Sequence, residues 1–216
     1  MPSAPFTKIA RLITVAARGG ADPTMNFKLR IAIDKAKEGR MPKENIERAI
    51  ARGAGTAGGE VLDELTYEGF GSEKISVIIE VITDNKNRSA MQIKKLLADT
   101  GGSLGGPNSV MWQFDHKGVI QLGVATLTEE QELSLIEVGA DDFQSHEDQT
   151  IVYCALIDFE NVKKKIAELN LPLIEANLEY VPKEKIKVQD EEKMGKFFEA
   201  LDENDDINNF YTNADF

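Results

Sequence analysis

The hydrophobic period of the chain changes once, and the change falls at a run of small residues, Gly-Ala-Gly-Thr-Ala-Gly-Gly at 53–59. Ahead of it, apolar residues recur at the three- and four-residue spacing of amphipathic helices. Beyond it they alternate, as in strands with one face buried. A helical period does not settle as a strand, so a helical part must be followed by a sheet-containing part. The run itself holds nothing that could pack and reads as a flexible linker that would let the first part move against the rest.

Three helices are expected in the first part. Over 7–18, Ile9, Leu12, Ile13 and Ala16 share one face while Lys8, Arg11 and Arg18 project from the other. Over 26–38, Leu29, Ala32, Ile33 and Ala36 form the buried stripe, flanked by Lys28, Arg30, Lys35 and Lys37. The third starts near Pro42, whose fixed φ suits a first helical turn, and stops at Gly53 with Ile46, Ala49 and Ile50 as its seam. The three stripes can close on one another as a small bundle, with Lys43, Arg48 and Arg52 outside. The basic, acid-free stretch 5–17 also has the character of a mitochondrial transit peptide, but the same pattern continues into two further helices, which favours a folded element.

In the second part, 65–70 and 75–83 read as strands, the latter apolar on both faces except at Ser76 and Glu80, which suits a central position. A polar turn at 84–88 leads to a helix over 90–99, closed by Gly101 and Gly102. Val110, Trp112 and Phe114 then alternate with polar neighbours as a third strand with an aromatic inner face; Tyr67, Phe70, Trp112 and Phe114 could stack on bases, but core packing fits their acidic surroundings better.

Strand, helix, strand, strand, helix, strand follow at 118–122, 128–138, 142–147, 150–157, 159–169 and 173–180, with Thr128 and Gln131 as a capping box and Asp158 as a second cap. That order is the ferredoxin-like split βαβ arrangement. A helix over 191–201 and a strand over 207–212 would complete the sheet begun at Leu65. The expectation is an α+β fold, an N-terminal three-helix domain followed by two α/β domains, one inserted in the other. Its boundaries are a basic helical domain at 1–55, a linker at 56–61, a discontinuous α/β domain at 62–115 plus 183–216, and a ferredoxin-like insertion at 116–182.

Charge divides along the same line. Residues 1–55 carry eleven Lys or Arg against five Asp or Glu, a surplus of +6, and the remainder carries a deficit of −18 within a net charge of −12. Clustered cations on an acidic chain are the footprint of a polyphosphate partner, because Lys and Arg that neutralise phosphates release condensed counterions. The acidic part would repel the same polyanion and orient its approach, and could offer a surface to a protein partner.

Other chemistry is poorly represented. The single cysteine, Cys154, excludes an intrachain disulfide, fits a reducing compartment and reads as a buried thiol. His116 and His146 have no zinc-site spacing, and no metal or cofactor is expected. The loop 101–107 lacks the Lys-Ser/Thr ending of a phosphate-binding loop and reads as a helix stop and turn. The acidic stretch 202–206 lacks the glycine and spacing of a calcium loop and reads as a solvated turn. No apolar run approaches the roughly 18 residues of a membrane span.

Several segments match a known family. Asp22-Pro23, Asn26, Leu29-Arg30, Ala32-Ile33, Lys35-Ala36-Lys37, Met41-Pro42-Lys43 and the run from Asn45 to Ile50 resemble the amino-terminal signature of the YebC/PmpR family. Tyr67-Glu68-Gly69, the run from Thr83 to Arg88, Gly101-Gly102-Ser103-Leu104 and Tyr211-Thr212-Asn213-Ala214 resemble its later motifs. The resemblance implies three domains, no enzymatic activity, and a DNA-binding transcriptional regulator. Similar proteins, including the mitochondrial translational activator of cytochrome oxidase subunit I, act on translation. It also implies phosphate contacts at Lys8, Arg30, Lys37, Lys43 and Arg48. Two departures stand out: members usually carry a short basic leader before the segment matching Phe6-Thr7-Lys8, so either the leader is lost or the start has been placed too late, with part of the binding surface then missing, and Arg40 replaces a small or amide residue.

The nucleic-acid-binding candidates are therefore Lys8, Arg11, Arg18, Arg30, Lys37, Arg40, Lys43, Arg48 and Arg52. The expected partner is DNA, with ribosomal RNA as the alternative, in the cytoplasm or an organelle matrix such as that of mitochondria. A ligand-binding or enzymatic role for the loop 101–108 is a third reading.

Overall fold

The computed structural model describes residues 6–58 and 61–215. The segment ahead of Phe6, where the resemblance places a basic leader, and Gly59 and Glu60 of the linker lie outside the described residues. The chain divides into two compact units, Met1–Gln113 with Glu184–Phe216, and 114–183.

The first unit opens with α1 (Phe6–Ala16), α2 (Phe27–Glu38) and α3 (Lys43–Gly53). Asn26 caps α2 by accepting the Leu29 N–H at 3.1 Å. Ile9, Ile13, Ala17, Leu29, Ala32, Ile33, Ala36, Met41, Ile46 and Ala49 make one closed core. Gly53 is part of this packing rather than of a linker: a Cβ there would overlap the Thr14 carbonyl and the Ala17 side chain, so α3 reaches α1 only with glycine at the contact. The following turn is also tied down, since the Thr56 and Ala57 N–H groups donate to the Ala51 carbonyl at 3.0 and 3.2 Å.

The same unit contains β1 (Asp63–Phe70), β2 (Ser76–Thr83), α4 (Lys86–Asp99) and β3 (Ser103–Leu104). Its sheet is antiparallel in the order β3-β1-β2 and then a strand from the chain's end, Ile207–Thr212. All of β2 is buried except the half-buried Glu80, as suits its central place. Val77, Ile79 and Val81 meet Ile93 and Leu97 of α4, and Met194, Phe197 and Leu201 of the final helix. Asn85 caps α4 through the Arg88 N–H, so the helix begins within the segment expected to be a polar turn.

The third strand is not where the alternation of Val110, Trp112 and Phe114 placed it. Ser103–Leu104 pairs with β1 instead, and Met111–Gln113 form a 3-10 turn. The reason is the Glu68 carboxylate, which accepts the N–H groups of Asn108, Val110 and Met111 at 2.6 to 2.8 Å and draws the segment off any ladder. Val110 is buried, but Trp112 is 67% exposed rather than in the core.

The second unit comprises β4 (Phe114–Leu122), α5 (Glu129–Ile136), β5 (Ala140–His146), β6 (Gln149–Ala155), α6 (Phe159–Glu168) and β7 (Leu173–Pro182). Its antiparallel sheet has the order β5-β6-β4-β7, the ferredoxin-like topology. Gly118 of β4 faces Phe159 of α6 so closely that any Cβ would overlap the ring. The Thr128–Gln131 capping box is formed, but Asp158 makes no side-chain cap to α6. Cys154 is buried, and burial together with Asp141 and Asp158 pushes its thiol pKa up to about 12. The chain then returns to the first unit through β8 (Ile186–Lys187), α7 (Glu191–Asp202), β9 (Ile207–Thr212) and β10 (Ala214–Asp215).

Candidate nucleic-acid interface

The nine candidate cations separate into three groups. Lys8 and Arg11 form no outer stripe, because the face of α1 that carries them packs against the sheet-containing part of the same unit. Lys8 is 7% exposed and donates through Nζ to the Asp202 carbonyl at 2.6 Å. Burial pulls its pKa down, Asp202 and Asp205 pull it back, and Arg11 adds to the fall. The Arg11 guanidinium donates to the Asp205 carbonyl at 2.8 Å and to the Asp206 carboxylate at 3.0 Å. These two residues hold the helical head in place and leave the list of phosphate contacts.

Their partner corrects a second expectation. Asp206 is 5% exposed rather than part of a solvated turn. Its carboxylate accepts from Arg11, from Arg88 Nη2 at 3.0 and 3.2 Å, from Ser89 Oγ at 2.7 Å and from Thr83 Oγ1 at 3.3 Å. Burial alone would raise its pKa, but the Ser89 and Arg88 hydrogen bonds, with the charges of Arg88 and Arg11, hold it below the ordinary carboxylate value. Arg88 also reaches Asp84 at 2.6 Å. The run Thr83 to Arg88 is thus the seat of an ion cluster built around the buried Asp206, which sequence reasoning noticed as a motif without assigning it a task.

Arg30 forms the second group. It is half-buried and donates through Nη1 to the Pro23 carbonyl at 3.4 Å, which places it at the Asp22–Pro23 turn ahead of α2.

The third group is exposed. Lys37, Arg40 and Lys43 follow one another around the α2–α3 turn, and Arg48 and Arg52 lie one helical turn apart on α3. Arg18 follows Ala17, which packs on Gly53 at the end of α3, so it sits at the Arg52 end of the bundle. From Lys43 to Arg52 the helix axis advances about 14 Å. Lys37 and Lys43 have carboxylate neighbours, Asp34 at 3.7 Å and Glu47 at 3.5 Å, with both lysine side chains at least two-thirds exposed. Such solvent-exposed pairs contribute little and yield readily to a denser anion. Lys28, absent from the nine, is exposed as well.

The loop 101–108 uses its polar groups internally: the N–H of Gly102 goes to the Leu97 carbonyl, that of Gly105 to the Glu68 carbonyl and that of Asn108 to the Glu68 carboxylate. Among the described residues no group of His, Cys, Asp and Glu could hold a metal ion, and no helix is long and apolar enough to cross a membrane.

Comparison with known proteins agrees with this division. Residues 3–56 match the model of the TACO1/YebC protein N-terminal domain, and residues 62–214 match that of the TACO1/YebC second and third domain. The chain belongs to the TACO1/YebC family. Family members similar to it include the probable transcriptional regulatory protein Teth39_1009 of Thermoanaerobacter pseudethanolicus, 40% identical over 97% of this chain and 87% of that one. Another is a probable transcriptional regulatory protein of Desulforamulus reducens, 39% identical over 96% and 88%. Among solved structures, the conserved hypothetical protein Aq1575 of Aquifex aeolicus superposes with a TM-score of 0.85 at 37% identity, covering 97% of this chain and 88% of that one. TACO1/YebC membership accounts for the order of helical head and sheet-containing parts along the chain.

Proposed function

We propose that this TACO1/YebC protein is a non-enzymatic regulator of gene expression that grips the phosphate backbone of duplex DNA through Arg18, Lys37, Arg40, Lys43, Arg48 and Arg52. The observation that carries the reading is the exposure of these six cations around α3 and its flanking turns, on an otherwise acidic chain. The names of the relatives, probable transcriptional regulatory proteins, support the same role. Phosphate contacts fix position without reading bases, so the binding they supply is indifferent to sequence. A cytoplasmic site of action accords with a chain whose single cysteine has no second cysteine to pair with.

Replacing Lys43, Arg48 and Arg52 together by Ala is expected to weaken binding to unrelated duplexes by the same factor in a gel-shift titration. Parental affinity in the triple variant would refute the assignment. Ribosomal RNA offers the same phosphate chemistry and is the second reading, favoured by the likeness to a mitochondrial translational activator. Sedimentation of lysate through a sucrose gradient separates the two: co-migration with ribosomes, lost in the triple variant, would move the target from DNA to the ribosome.

A further inference from the structure

The turn between α1 and α2 is held by more bonds than a connecting loop requires. The Asn26 side-chain amide donates to the Ala16 carbonyl at 2.8 Å and to the Gly20 carbonyl at 2.7 Å, while its oxygen caps α2. The Asp22 carboxylate accepts the N–H and the hydroxyl of Thr24 at 2.8 and 2.7 Å. The N–H groups of Met25 and Asn26 both donate to the Asp22 carbonyl, and Arg30 reaches back from α2 to the Pro23 carbonyl.

This frame holds out Met25, which is 86% exposed. It stands just ahead of the Asn26 cap, the place from which an apolar side chain commonly folds back onto the fourth residue of the helix. That residue is Arg30, whose guanidinium is directed to the backbone of the turn, so Met25 finds no apolar seat there. A lone exposed methionine is ordinary. One fixed on a braced turn among cations is placed for a task. Residues 17–30 carry Arg18, Lys28 and Arg30 against Asp22 alone, and Arg18 and Lys28 are exposed. Arg52 lies at the same end of the bundle, where Gly53 packs on Ala17.

We infer that Met25 is a wedge: while the cations of the head hold the backbone of duplex DNA, its side chain enters the minor groove and inserts between two neighbouring base pairs, bending the duplex. The inference rests on the phosphate-gripping reading and adds to it a source of sequence preference. An unbranched thioether is slim and apolar, and apolar side chains inserted in this way unstack one base step and kink the helix by about 20–90°. Unstacking costs least at flexible pyrimidine–purine steps, so the protein favours them without touching a base edge. Among the described residues Met25 is the only large apolar side chain exposed between Phe6 and Val61, too little for the apolar core of a protein interface.

The test uses the full chain and a short duplex carrying a donor and an acceptor dye at its two ends. Binding of the parent is expected to raise energy transfer between the ends, M25A to bind and leave the duplex straight, and M25L to bend it as the parent does. The parent is also expected to bind a duplex with a central mismatch about tenfold tighter than the fully paired one, and M25A to bind the two alike. Because Met25 is exposed, an unchanged thermal transition verifies that each variant is folded. A parent that binds without bending, bending by M25A equal to the parent's, or the same mismatch preference in both would overturn the wedge and leave the phosphate grip standing. No binding to any duplex would overturn both.

Discussion

Arg40 takes the left-handed conformation, φ 56°, immediately after α2. The N–H of Met41 donates to the Ala36 carbonyl and that of Arg40 to the Lys37 carbonyl, the bond pair that closes a helix when the residue past its cap is left-handed. Glycine usually fills that place, yet here the glycine stands one position earlier, at Gly39, with an ordinary φ of −72°. The preference for a small or amide residue at this point therefore has a backbone cause, and arginine there carries strain in exchange for charge. R40G is expected to raise unfolding stability by about 1 kcal/mol, measured by urea denaturation, while weakening DNA binding through loss of a cation. No gain in stability would refute the strain argument. At this scale the sequence was legible where chemistry is local, as at the Asn26 and Thr128 caps. It was not legible at Asp158, whose side chain is turned to Gly139 instead of capping α6.

Helix α1 is the element whose role the sequence least revealed. Its period announced an apolar stripe against Leu29 and Ala49 correctly, but the opposite face meets partners about 195 positions away, beyond the reach of any local pattern. The cationic face of α1 and the acidic run 202–206 were each read as solvated, whereas folding brings them together. The same failure explains the missing strand at 110–114, where the Glu68 carboxylate, some forty residues earlier, takes the backbone donors a ladder would need.

The Asp206 cluster joins α1 to the end of β2 and the start of α4, so its removal belongs to this scale. D206N is expected to cost about 2 kcal/mol, the worth of a hydrogen bond to a charged group, and to increase hydrogen exchange in α1 more than in α5. Exchange in α1 unchanged from the parent would contradict that role. Because the folded pKa of Asp206 lies below the unfolded value, its contribution is complete above about pH 4 and is lost as pH falls through the lower folded value. The acid limb of stability is expected to flatten in D206N.

Over the whole molecule, the division of charge read from the sequence still points to the head, with fewer cations available than counting suggested. Lys8 and Arg11 are used internally, and the set proposed to face phosphates reduces to the exposed residues around α3. A chain of net charge −12 repels a polyanion at long range. At physiological ionic strength the screening length is only about 8 Å, so cations in contact with phosphates outweigh distant carboxylates. The α+β order and the ferredoxin-like connectivity were legible because hydrophobic period and capping are local signals. Which cations remain free was not, because that depends on the docking of parts distant in sequence.

The most direct measurement of this reading is the salt dependence of duplex DNA binding for the full chain and for R40A/K43A/R48A/R52A. Each phosphate neutralised contributes about −0.9 to the slope of log K against log salt concentration. The expected result is a slope shallower by about 3 to 4 in the variant, with stability retained. An identical slope in the two proteins would contradict the claim that these cations meet the phosphate chain.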